Sequence, residues 1–124
     1  MKILITGGPK TGKTTLAREL ATKYKISKIY HTDDLILKYD WGFESDIVNS
    51  WLKEDNIIIE GTTVPRGIRK WLFNNDSGKP ADIVYYLKEP KVKISKGQAT
   101  MTKGIDTVWS EVLPELRKRG VTVV

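Results

Sequence analysis

Apolar residues in this chain follow two rhythms that alternate from one end to the other. Lys2-Ile-Leu-Ile-Thr6 is a short apolar run ending at Gly-Gly-Pro, which reads as a buried strand. From Gly12 to Tyr24 the spacing lengthens. Leu16, Ala17, Leu20, Ala21 and Tyr24 fall on one helical face, with Arg18, Glu19 and Lys23 off it. Lys28-Ile-Tyr-His31 returns to strand. Ser45 to Lys53 predicts a helix through Ile47, Val48, Trp51 and Leu52, and Asn56-Ile-Ile-Ile-Glu60 is the clearest strand, β-branched and closed by Gly61. Pro65 suits the first position of a further helix, with Ile68, Trp71 and Leu72 on its apolar side. Asp82 to Leu87 is a fourth strand. Lys88 to Gly104 shows no period, and five lysines and two glycines make it a mobile, basic, lid-like loop. Ile105, Val108, Trp109 and Val112 then mark a helix to Leu113. Pro114 is expected to kink or restart it, and Val121 to Val124 forms a last strand.

Alternating strands and helices call for a parallel sheet covered on both faces, an α/β fold. With 124 residues the chain fits one domain, 1–124, around one core. Hydrophobic residues make up 40% and charged residues 29%, which argues for a soluble globular protein. The absence of cysteine excludes disulfides and thiolate metal sites. No apolar run is long enough for a membrane span, and a strand beginning at Lys2 leaves no room for a signal peptide. The expected location is the cytoplasm.

Between the first strand and the first helix lies Gly7-Gly8-Pro9-Lys10-Thr11-Gly12-Lys13-Thr14, which matches G-x-x-x-x-G-K-[ST] without exception. Glycines let successive backbone N–H groups turn inward as a nest for an anion, and the helix adds the positive end of its dipole. Lys13 is then the cation for the β- and γ-phosphates, and the Thr14 hydroxyl takes a place on Mg²⁺. Thr15 completes the nucleotide-binding set. The expected ligand is ATP or GTP with Mg²⁺.

Two further strands end in acids. The second leads into Asp33-Asp34, and the third closes on Glu60. Carboxyl ends of strands in an α/β sheet face the ligand crevice. One of the adjacent pair can act as a base and the other as a metal partner, or they can cap a helix over Leu35-Ile36-Leu37. Glu60, after three apolar residues, needs a partner or a solvated edge, and can hold a water on Mg²⁺. His31 reads as structural.

The stretches Gly7 to Thr15, Asp33-Asp34 and Ile57-Ile-Ile-Glu60-Gly61 resemble the small P-loop kinases of the nucleoside and nucleotide kinase superfamily, in particular uridine kinase and nicotinamide riboside kinase relatives. The resemblance spans the first half of the chain. It implies a three-layer P-loop NTPase fold in minimal form, with strand order 2-3-1-4-5. It also implies that Asp33 accepts the proton of the attacking hydroxyl, while Glu60 orients Mg²⁺ through water. Such kinases close an arginine-bearing lid after strand four. The corresponding stretch here has no arginine, only Lys88, Lys91, Lys93, Lys96 and Lys103, which supply charge without a planar fork. In relatives a segment beyond strand five helps hold the base. Its absence leaves ATP and GTP undistinguished.

On the acceptor side, Tyr39-Asp-Trp41-Gly-Phe43-Glu44 places aromatics on a glycine-containing loop, where Trp41 and Phe43 can stack on a base or fold inward. Arg66 and Arg69, with Lys70, can hold an acceptor phosphate or a nucleic-acid backbone. The expected function is ATP-dependent transfer of a γ-phosphoryl to a hydroxyl of a nucleoside or nucleotide. The net charge of +6 supports an alternative, a hydroxyl carried on DNA or RNA, for which a virus-encoded modification kinase in host cytoplasm would be suited. A different class, a non-kinase P-loop NTPase or nucleotide-binding module, is disfavoured. No strand ends in a plain aspartate of the Walker B kind, and there is no second domain to read a conformational change.

Overall fold

The computed structural model describes residues 1–36 and 41–124, and the side chains of Ile36 and Trp41 lie outside that description. Five strands form one parallel sheet: β1 (Lys2–Gly7), β2 (Lys28–His31), β3 (Ile57–Glu60), β4 (Ile83–Leu87) and β5 (Thr122–Val123). Their order is β2-β3-β1-β4-β5, as the resemblance implied. The central strands are the most apolar, and the isoleucines of β1 and β3 reach no solvent at all.

Alternation along β1 and β3 divides the core. Ile3, Ile5 and Ile58 face the first helix, α1 (Lys13–Tyr24), and enclose Ala17 and Leu20. Leu4, Ile57 and Ile59 face the opposite side. There Trp51 of α3 (Trp41–Trp51) and Leu52 just after it join Val64 and Ile68 of α4 (Val64–Asn74) and Trp109, Val112 and Leu116 of α5 (Lys96–Lys118). Helices therefore cover both faces, and the fold is the three-layer α/β arrangement that the alternating pattern called for. A short helix, α2 (Asp33–Ile36), follows β2.

Three expectations about local structure are overturned. Residues 88–104 are not wholly loop, because α5 begins at Lys96. Ser95 caps it: its Oγ accepts from Gln98 N at 3.1 Å, and Gln98 Oε1 accepts from Ser95 N at 2.9 Å. This reciprocal box satisfies two otherwise orphaned donors and starts a helix in a lysine- and glycine-rich stretch. The same helix runs through Pro114 without interruption. Proline in a helix interior costs about 3 kcal/mol. The buried side chains of Val108, Trp109, Val112 and Leu116 on either side offset that loss. Finally, α3 starts at Trp41 rather than Ser45, so Phe43 and Glu44 lie in a helix turn and not on a loop. Tyr39 and Leu37 fall outside the described residues.

Candidate phosphate and acceptor site

The loop from β1 to α1 is held in shape by its own backbone and by β4. A side-chain carbon at Gly7 would sit 2.1 Å from the Leu87 carbonyl oxygen, so only glycine lets the loop leave the sheet here. Lys10 and Gly12 adopt left-handed backbone conformations, with φ of 60° and 91°. Gly12 immediately precedes α1 and has no side chain to cap the helix, which leaves the N–H groups of the first turn for a ligand. Thr11 Oγ1 donates to Gly8 O at 2.9 Å and tightens the turn.

Lys13 is buried, and its ammonium donates to Gly8 O at 2.6 Å. Burial lowers its pKa below the ordinary lysine value, while the charges of Glu60 and Asp33 work in the opposite direction. A desolvated ammonium aimed into a nest of N–H groups is a strong site for phosphate oxygens.

Lys10, Thr11, Gly12, Lys13, Thr14 and Thr15 line one cradle of about 150 Å³, together with Asp33 and Glu60. Glu60 is almost completely buried. Its Oε1 lies 2.6 Å from His31 Nδ1 and 3.4 Å from Thr14 Oγ1, and its Oε2 has no partner among the described residues. An unsatisfied carboxylate oxygen inside a cradle built for anions fits a hydrated divalent cation. Among the described residues no cluster of three or more His, Cys, Asp or Glu could hold a metal by itself. The cation would need phosphate oxygens and water to complete its shell, as Mg²⁺ ordinarily does.

A second cleft, about 320 Å³, adjoins the cradle and shares Lys10, Lys13 and Asp33 with it. Pro9, Thr62, Gln98 and Met101 complete its wall. A third, about 370 Å³, lies along the outer side of the loop between Thr11, Gly12, Thr15, Leu16, Glu19, Leu87 and Lys91.

Solved structures of similar fold include shikimate kinases. That of Aquifex aeolicus aligns with a TM-score of 0.58 at 14% identity, covering 90% of this chain and 83% of the other. The enzyme of Acinetobacter baumannii, in complex with shikimate, aligns at 0.55 with 14% identity over 99% of this chain and 82% of its own. That of Bacteroides thetaiotaomicron aligns at 0.55 with 18% identity over 99% and 84%. At these identities the likeness establishes the fold. No protein-family model and no curated relative matches the sequence.

The Trp41 side chain, expected on the acceptor side, lies outside the described residues. Gly7 and Gly8 hold the loop against its neighbours, and a side-chain carbon at Gly8 would lie 2.4 Å from Thr102 Oγ1 of α5. Pro9 faces the second cleft. Of the paired acids, exposed Asp33 lines both cradle and cleft, whereas Asp34, also exposed, lines neither. Both lie within the first turn of α2 rather than before it, so the expected capping position belongs to neither. His31 is bonded to Glu60, so its structural part is to hold that carboxylate. That pairing arises from strand register, because His31 and Glu60 are partners across β2 and β3.

The other residues expected on the acceptor side stand apart from the cleft. Arg69 is tied to Glu111 at 3.1 Å, and Lys70 is bonded to Asp46 and to Gly42 O. None of these residues lines the cradle or the cleft. Arg66, in the first turn of α4, lies beside Gly104 of α5. Phe43 neither folds inward nor lines the cleft, and the residue is 51% exposed. Among the lysines expected in a lid, Lys91 packs against Gly12, and its N–H donates to Lys10 O at 2.7 Å. Lys93, Lys96 and Lys103 are exposed and line none of these three cavities. Thr62, Gln98 and Met101 were missed. The pattern Ser95-x-x-Gln98, a capping-box signature, could have revealed the helix that carries two of them.

Proposed function

We propose that this chain is an ATP-dependent phosphotransferase that moves a γ-phosphoryl to a hydroxyl of a small nucleoside-type acceptor. One observation carries the reading. The phosphate cradle and the neighbouring cleft share Lys13 and Asp33, so a donor phosphate and an acceptor hydroxyl would meet between a cation and a carboxylate. A fold shared with shikimate kinases supports the same class of chemistry.

In this mechanism the loop N–H groups and the Lys13 ammonium bind the β- and γ-phosphates and offset the charge that builds on their oxygens. The outer cavity beside Leu16, Glu19, Leu87 and Lys91 takes the nucleoside end of ATP. A divalent cation at Thr14, oriented by Glu60 through water, would neutralise further phosphate charge. Asp33 holds the acceptor hydroxyl and takes its proton as the oxygen attacks the γ-phosphorus. The bond between that phosphorus and the β,γ-bridging oxygen breaks, and ADP leaves. The proton returns to solvent after product release.

A small acceptor is favoured over a polymer because Arg69 and Lys70, two of the cations that could meet a nucleic-acid backbone, are held by Glu111 and Asp46. No helix among the described residues is long and apolar enough to cross a membrane. Transfer of radiolabelled γ-phosphate, assayed in parallel against nucleosides, nucleoside monophosphates, shikimate, and plain and hydroxymethylated DNA, tests the proposal. Label on a nucleoside supports it. Label on DNA alone would replace the acceptor, and hydrolysis without transfer would replace the class.

A further inference from the structure

The acceptor cleft has a roof, and one side chain in it performs two tasks. Gln98 lies in the first turn of α5 and lines the cleft with Lys13, Asp33, Thr62 and Met101. The Ser95 backbone N–H can only donate, so the Gln98 atom 2.9 Å from it must be the amide oxygen. That assignment leaves the amide NH₂ as the remaining end of the side chain. Neither of its hydrogens has a partner among the described residues. An NH₂ group at a cleft wall, held in orientation by its own oxygen, is a preorganised donor. Met101 lies beside it and adds an apolar, polarisable surface suited to a flat ring.

We infer that Gln98 is the specificity-determining residue of the acceptor cleft, donating through its amide NH₂ to a carbonyl oxygen or ring nitrogen of a nucleobase packed on Met101. The inference rests on the phosphotransferase reading above and names the acceptor group that reading leaves open. It places the hydroxyl to be phosphorylated at the Asp33 end of the cleft and the base at the α5 end. The amide that binds the base also closes the capping box. An occupied cleft therefore holds the first turn of α5 in place, and a frayed turn lowers affinity for the acceptor.

Two substitutions separate these roles. Gln98→Glu keeps an oxygen for the Ser95 N–H, because glutamate serves equally in a capping box, but it has no hydrogen to donate. Ser95→Ala removes the Oγ that accepts from Gln98 N and leaves the amide. Steady-state transfer is measured with uridine, cytidine, thymidine and adenosine as acceptors, alongside circular dichroism melts. For Gln98→Glu the acceptor KM rises about tenfold or more, the loss of one hydrogen bond, while kcat, the KM for ATP and helix content stay within about twofold. For Ser95→Ala the melting temperature falls, and the acceptor KM rises by less than about threefold. An unchanged acceptor KM in Gln98→Glu overturns the inference, as does an equal rise in both variants, which would mean that the cap alone matters. If the wild type labels none of the four nucleosides, the nucleoside-acceptor reading fails and takes this inference with it. Transfer by the wild type with an indifferent Gln98→Glu defeats the inference alone.

Discussion

His31 Nδ1 lies 2.6 Å from Glu60 Oε1, at matched positions on the adjacent ends of β2 and β3. The same oxygen is 3.4 Å from Thr14 Oγ1, so one carboxylate connects the second strand, the third strand and the first turn of α1. The imidazole fixes which Glu60 oxygen is occupied and leaves Oε2 facing no protein group among the described residues. His31 is thus a positioning residue for the buried acid, and the acid in turn bears on Lys13.

That last link has a pH signature. Burial lowers the Lys13 pKa, and the charges of Glu60 and Asp33 raise it. Glu60→Gln removes one raising influence, so the ammonium should lose its proton at lower pH. Nucleotide binding that depends on the charged form should then fail earlier on the alkaline side. A pH titration of ATP affinity in both proteins checks this, and an alkaline limb that stays still or moves upward contradicts it.

Lys13→Ala should lower kcat by about 10²–10³, the scale of losing one preorganised electrostatic partner of the transition state. It should also weaken ATP binding. The fold should survive, since among the described residues the side chain bonds to its own loop alone, through Gly8 and Thr11. Transfer assays beside a thermal melt provide the check, and full activity would end the phosphate-loop reading.

Asp33 and Asp34 should behave unequally despite being adjacent. Asp33→Asn is expected to reduce kcat by about 10²–10⁴ with little change in ATP affinity, as for loss of a general base. Asp34→Asn, lining neither cradle nor cleft, should stay within about threefold. The reverse pattern would move the base by one residue.

Gly8→Ala should impair nucleotide binding because its new carbon meets Thr102 Oγ1 at 2.4 Å. The obstacle is a side chain rather than backbone, so Thr102→Ala in the same molecule should restore much of the loss. A double-mutant cycle on ATP affinity measures the coupling, with an expected magnitude of about 1–3 kcal/mol. Additive effects would show that α5 and the loop do not press on each other in solution.

Arg69→Glu should leave transfer unchanged and cost at most about 1 kcal/mol of stability, because it breaks only an exposed ion pair with Glu111. Unlabelled DNA should not compete with a nucleoside acceptor at any moderate salt concentration. Competition that weakens with salt, with a slope of about −0.7 to −0.9 per phosphate contacted, would favour a polymer acceptor instead.

The residues differ in how plainly the sequence declared them. Gly7 to Thr14 was readable because its conformation is local: glycines, a strand before and a helix after determine where each group points. The strand order was legible through family resemblance, and the core through the isoleucines of β1 and β3. The pairing of His31 with Glu60 was hidden, since it depends on the register of two strands separated by 25 residues of intervening chain. The partner of Arg69 was hidden for a similar reason, because Glu111 belongs to a helix far along the chain. The start of α5 was obscured by composition. Gly97, Gly104 and several threonines lower helix propensity, and only the Ser95–Gln98 box and the packing farther along restore it.

The 23 residues of α5 span about 35 Å at 1.5 Å per residue, and its two ends are anchored very differently. Ile105, Val108, Trp109, Val112 and Leu116 are buried, whereas nothing from Lys96 to Gly104 is. Such a helix should not exchange its amide hydrogens as one unit. Protection should approach the global unfolding limit beyond Ile105 and fall well below it in the turns that carry Gln98 and Met101, with the break near Gly104. The roof of the cleft can then open by local unfolding while the core half of the same helix stays shut. Access to the cleft would be set by a free energy smaller than that of the whole fold, and tunable from a few exposed positions.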